Sequence, residues 1–215
     1  MRIINPGFEF LTIPDAAGML QLIEKAGRTC YKSESNITES SAKNFIGKII
    51  KSGHLSVIEH ASMTVRFICD RGISHELVRH RMASFSQEST RYANYAKDRF
   101  DAEITVIRPF FWEEGSPQWQ IWYDSMLTAE KAYMDLIAKG ASPQQARSVL
   151  PNSLKTELVM TANLREWRHV IELRAAPDAH PQVREIMLPF LQEANRLVPV
   201  VFEDLADKFA NFDLF

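Results

Sequence analysis

The chain has 215 residues, 46% of them hydrophobic and 24% charged, with a formal net charge of −2. That length suits a single domain spanning 1–215, with a core that needs no staples. The slightly acidic balance counts against a non-specific nucleic-acid binder, and no apolar run is long enough to cross a bilayer.

Arg2 to Ile4 reads as a short strand closed by Asn5-Pro6-Gly7. From Asp15 to Ala26, Met19, Leu20, Ile23 and Ala26 recur at helical spacing behind a capping Asp, and Gly27 is expected to stop the helix. A second helix is expected from Thr38 to Lys51, with Ala42, Phe45, Ile46, Ile49 and Ile50 on one face and Ser52-Gly53 at its end. Ala61 to Cys69 alternates, with Met63, Val65, Phe67 and Cys69 on one face, as a half-buried strand does. Asp70-Arg71-Gly72 reads as a turn, followed by a helix from Ile73 to about Ala83.

Glu103 to Arg108 is expected to be a strand. Ser116-Pro117 starts a helix through Trp119, Trp122, Tyr123, Met126, Tyr133 and Ile137 to Gly140. Trp112, Trp119, Trp122 and Tyr123 are assigned to the core or to a subunit interface. Ser142-Pro143 begins a shorter helix that ends before Pro151, and Thr156 to Ala162 is a strand. Asn163 with Glu166 opens a helix through Leu173 in the manner of a capping box. A last helical region runs from Pro181 to Phe209, kinked or broken near Pro189 and Pro199. The mixture places the fold in the α/β (α+β) class. Cys30 and Cys69 make no disulfide scaffold, and no apolar signal stretch follows Met1, so a reduced cytoplasm is the expected location.

Residues 79 to 91 carry the chemistry: Arg79-His80-Arg81, then Met82-Ala83-Ser84-Phe85-Ser86, then Gln87-Glu88-Ser89-Thr90-Arg91. Arginine forks match phosphate and carboxylate oxygens two at a time, and the hydroxyls and amide add neutral partners. The bland alternative is a solvated basic face. On a helix Arg79 and Arg81 point about 200° apart, so they would grip different ligands. Arg147, Arg165 and Arg174 stand at element ends, where helix N-termini also favour anions. His75 and His80 miss the zincin spacing, and no metal site is assigned. Neither a glycine-rich phosphate loop nor a serine nucleophile elbow is present.

Arg79-His80-Arg81, followed after seven residues by Ser89, resembles the signature of the flavin-dependent thymidylate synthases. The string through Arg91-Tyr92 resembles that family too. So do Gly53-His54, Ser56 and Glu59-His60 upstream, Ala146-Arg147 with Leu150-Pro151, Asn163 with Arg165, and Leu173-Arg174 with His180. The resemblance implies that family's fold, a central mixed sheet flanked by helices, in a homotetramer with active sites at subunit interfaces. It implies conversion of dUMP to dTMP with FAD, methylenetetrahydrofolate as one-carbon donor and NADPH as reductant, and no nucleic-acid or membrane partner. It further implies that Glu76, Leu77, Val78, Arg79, Gln87, Glu88, Ser89, Thr90, Arg91 and Arg147 hold dUMP. Ser56, Arg79, His80, Arg81, Gln87, Asn163, Arg165 and His169 would hold FAD. Arg174 would be the activating cation at the pyrimidine edge, where a fixed charge stabilises negative charge developing on the ring. Gln87 and His169 stand where some members of that family have Glu and Asn.

Overall fold

In the computed structural model, which describes residues 1–12, 15–97 and 100–210, the chain divides into two compact units. The first gathers Met1–Gly7, Phe67–Arg79 and Ser86–Val159; the second gathers Phe8–Arg66, His80–Phe85 and the chain from Met160 onward. The chain therefore passes from one unit to the other between Arg79 and His80, and back between Phe85 and Ser86.

The elements in order are β1 (Arg2–Ile4), β2 (Gly7–Phe10), α1 (Ala16–Tyr31), α2 (Ser41–Lys51), β3 (Ser62–Asp70), α3 (Arg71–Leu77) and β4 (Ser84–Gln87). Then follow β5 (Thr105–Ile107), α4 (Pro117–Ala138), α5 (Pro143–Ala146), β6 (Lys155–Asn163), α6 (Leu164–Arg174), α7 (Pro181–Leu197) and α8 (Pro199–Phe209). β1 pairs parallel with β5, Ile3 opposite Val106. The larger sheet has the order β2-β3-β6-β4.

Caps explain the well-placed helix starts. Asp15 accepts from the Gly18 N–H, Ser116 from Trp119, and Asn163 from Glu166. The alternation in β3 buries Met63, Val65, Phe67 and Cys69 completely. In the first unit a core of Ile104, Val106, Trp119, Trp122, Met126 and Tyr133 forms around α4, with Trp112 and Tyr123 packed against it. In the second, Trp167, Phe190 and Phe202 are fully buried.

Four expectations change. Helix α1 runs through Gly27 to Tyr31 and ends at Lys32 in the left-handed conformation. Gly27 is there for contact, since a Cβ would stand 2.6 Å from the Phe45 ring and 2.9 Å from Val57. Asp70-Arg71-Gly72 is no turn: Asp70 caps α3 directly, accepting from the Ile73 N–H at 2.7 Å. α3 then stops at Leu77, so Arg79 to Arg81 are not helical and the angular separation argued for them does not apply. Finally, β2 and the β4 strand inside the polar segment were not anticipated.

Candidate functional site

The residues implicated by the sequence fall into two sets, one in each unit. In the first unit, Glu76 and Val78 are half-buried at the end of α3, and Arg79 is exposed. Leu77 is fully buried, so only its main chain could meet a ligand. Gln87 donates to Ser74 Oγ at 2.8 Å and to Thr156 Oγ1 at 3.3 Å, which fixes the end of β4. Glu88 is tied to the scaffold: its N–H donates to the Glu157 carbonyl, and its carboxylate accepts from Tyr95 Oη and Lys155 Nζ, both at 3.1 Å. Lys155 also reaches Glu157 at 2.7 Å. Burial works against the Lys155 charge, but Glu157 and Glu88 outweigh it and raise its pKa. Burial, then the Glu88 charge, pushes the Tyr95 phenol far up, so it stays a donor. A cavity of about 560 Å³ lies beside this network, lined by Gln87, Glu88, Ser89, Tyr92, Lys155 and others.

Ser89 turns the chain: its Oγ accepts from the Arg91 N–H, and its carbonyl accepts from Tyr92 and Ala93. Thr90 is buried beneath it. Arg91 lies over the Tyr92 ring and its Nε donates to Gln144 Oε1 at 3.1 Å. That contact ties Arg91 to α5, and Arg147 directly follows α5. Arg79, Arg91 and Arg147 pair with no carboxylate among the described residues, whereas Arg2, Arg28, Arg66, Arg165, Arg168 and Arg196 do. Cations held without counter-charges are receptive to an anion.

In the second unit, a cavity of about 420 Å³ is lined by Leu55, Glu59, Met82, Asn163, Arg165 and His169 among others. A neighbouring recess of about 400 Å³, with Tyr31, His54 and Ser56 on its walls, shares Leu55 and Arg165 with it. The two adjoining cavities carry hydroxyl, amide, imidazole and guanidinium donors, with the carboxylates of Glu59, Glu166 and Glu172 on the wall of the first. That donor set fits the diphosphate and sugar of a dinucleotide cofactor. Arg165 is bound to Glu59 at 2.6 Å, an exposed pair. Such pairs are worth roughly 0–1 kcal/mol, so a ligand phosphate could displace the carboxylate. Arg81 is exposed and makes no side-chain hydrogen bond or ion pair among the described residues.

His80 is only 4% exposed. Its Nε2 accepts from Arg174 Nε at 3.1 Å, its Nδ1 lies 3.5 Å from Glu166 Oε1, and its ring meets His169 edge-on. Burial, then the Arg174 charge and His169, lowers its pKa from 6.5 to about 4. The Glu166 contact is therefore no ion pair at neutral pH. The unfolded chain binds a proton near pH 6.5 that the folded chain refuses until about pH 4, so stability is lost as pH falls through that window. Each unit of displacement is worth about 1.4 kcal/mol. A His80→Gln variant should lose less stability than the parent across this range in urea titrations; equal losses would contradict the assignment.

Sequence reasoning brought out the arginines but not their fixtures. Lys155, Glu157 and Tyr95 belong to no motif, and Glu166 was read only as a cap residue. His180 caps α7, its ring accepting from the Gln182 N–H. Among the described residues no three metal-capable side chains cluster, and no helix is long and apolar enough to cross a membrane.

The family model described as thymidylate synthase complementing protein matches residues 13–200. A flavin-dependent thymidylate synthase of Mycobacterium sp. (strain JLS) is 37% identical over 213 residues, covering 88% of this chain and 81% of that protein. The enzyme of the same description from Mycobacterium tuberculosis (strain ATCC 25177 / H37Ra) is 35% identical, with the same coverage. A crystal structure of a UMP/dUMP methylase, PolB from Streptomyces cacaoi, bound with 5-Br dUMP, has the same fold. It superposes with a TM-score of 0.77 at 24% identity, covering 94% of this chain and 96% of that one.

Proposed function

The chain belongs to the flavin-dependent thymidylate synthase family, and on that ground we propose that it converts dUMP to dTMP, the whole chain acting as one functional domain. The observation that carries the substrate assignment is the set of arginines in the first unit, Arg79, Arg91 and Arg147, that have no carboxylate partner among the described residues. With the Ser89 turn they suit a nucleotide monophosphate. Glu76, Leu77, Val78, Gln87, Glu88 and Thr90 complete the dUMP set, Leu77 through its main chain. A homotetramer with sites at subunit interfaces, in the cytoplasm, accompanies this reading.

Ser56, Arg79, His80, Arg81, Gln87, Asn163, Arg165 and His169 would hold FAD. The two adjoining donor-lined cavities of the second unit support that assignment. When bound, the flavin supplies the two-electron reduction that turns the transferred one-carbon unit into a methyl group, with NADPH as reductant and methylenetetrahydrofolate as donor. The protein's own part is charge and position. Arg174 stabilises the negative charge that develops on the uracil ring as C5 becomes nucleophilic, and it favours ionisation at N3. Arg91, Arg147 and Ser89 hold the phosphate, so the ring is presented in a fixed pose.

Two measurements test this reading. The purified protein should stay yellow after FAD addition and dialysis, and dUMP should then bind more tightly than cytidine nucleotides. A colourless protein, or a preference for cytidine nucleotides, would count against it. Ser89→Ala should weaken dUMP binding by about tenfold, the worth of one hydrogen bond to a charged group, with turnover at saturation largely kept. Complete loss of turnover with intact dUMP binding would instead make Ser89 a nucleophile.

A further inference from the structure

We propose that Glu166 is a positioning residue that holds Arg174 in place through His80. The inference rests on the reading of Arg174 as the uracil-edge cation. Three side chains of the second unit lie in a row. Arg174 Nε donates to His80 Nε2 at 3.1 Å, and His80 Nδ1 faces Glu166 Oε1 at 3.5 Å.

Arginine carries only donors, so the Nε2 that accepts from it holds no proton. The ring is neutral at neutral pH. Its single proton therefore sits on Nδ1, facing the carboxylate. The opposite tautomer would set two donors against each other at Arg174 and two acceptors against each other at Glu166. Glu166 thus favours the tautomer that Arg174 requires. The Nδ1–Oε1 contact is long for a hydrogen bond. It acts by charge at short range, where the histidine and glutamate side chains are 3% and 12% exposed and water screens little.

The glutamate is itself anchored. Its N–H donates to Asn163 Oδ1 at 2.8 Å in the first turn of α6, while Arg174 is the last residue of the same helix. His80 spans roughly two helical turns between them. A rigid helix and a buried ring fix both ends of the relay, so the guanidinium is aimed before substrate arrives. That is the pre-organisation that a charge-stabilising group needs.

The test uses flavin-loaded protein. Nitrogen NMR of ring-labelled histidine, with His80 assigned through His80→Gln, should show Nδ1 protonated and Nε2 bare at pH above the ordinary histidine range. Glu166→Leu, assayed at saturating FAD, should lower kcat by about tenfold or more, as misplacement of a catalytic group does, with KM for dUMP little changed. Glu166→Gln, whose amide oxygen still accepts, should recover most of that loss. An Nε2-protonated ring in the parent protein would overturn the proposal, and so would a folded Glu166→Leu protein with parental kcat. Should the leucine variant not fold, the parent's tautomer decides alone. The predicted tautomer in a protein that forms no dTMP would support the relay and overturn the thymidylate reading.

Discussion

Arg174→Ala is expected to lower kcat by about two to three orders of magnitude, the usual cost of removing a pre-set charge-stabilising donor. The fold should survive. Arg174 is half-buried at the last residue of α6, outside the buried core, and the His80 ring that accepts from it is neutral. KM for dUMP should change less than kcat, because the proposed phosphate ligands Arg91, Arg147 and Ser89 are untouched by the substitution. Circular dichroism and thermal melting check the fold, and steady-state kinetics check the split. An unfolded variant would make Arg174 structural, and an unchanged kcat would remove it from the chemistry.

Trp167→Ala should have the largest effect on stability, about 3–5 kcal/mol, as for other large-to-small changes in a core. The indole is fully buried, 4.9 Å from the Phe190 ring, and its Nε1 donates to the Met63 carbonyl of β3 at 3.1 Å. The substitution leaves a cavity and a buried carbonyl without its donor. The functional cost follows from position. α6 carries Arg165, Glu166, His169 and Arg174, with Asn163 at its cap, and Trp167 docks that helix against β3. Trp167→Phe keeps much of the packing but loses the hydrogen bond and some volume, so it should cost about 1 kcal/mol plus a smaller cavity term. Urea titration of the three proteins gives the comparison; similar midpoints for Trp167→Ala and the parent would contradict it.

Local signals made much of the fold legible. A capping side chain followed by helical periodicity needs no partner elsewhere, and Asp15, Ser116 and Asn163 start their helices as read. The alternation of β3 is equally local. What misled were residues whose role depends on distant neighbours. Gly27 reads as a stop, yet Phe45 and Val57 need the space a side chain would fill. The segment after Leu77 reads as more helix, yet His80 is claimed by Arg174, which is 94 residues away. The polar run Ser84–Gln87 forms a strand at the end of the larger sheet beside β6, and no hydrophobic alternation announces it.

The site divides in the same way. Arginines in number and order were readable, because charge clusters are visible in the chain and the ordered blocks resemble one family. The groups that hold them were not. Glu59 against Arg165, Glu166 against His80, and the Tyr95–Glu88–Lys155 network exist only through tertiary contacts. Even Glu88, inside the signature, turns its carboxylate to the scaffold.

The most direct test of the account is product formation. Flavin-loaded protein given dUMP, methylenetetrahydrofolate and NADPH should release dTMP, identified by chromatography and mass, and omission of any one of them should stop it. A protein that binds flavin and dUMP but makes no dTMP under these conditions would contradict the account.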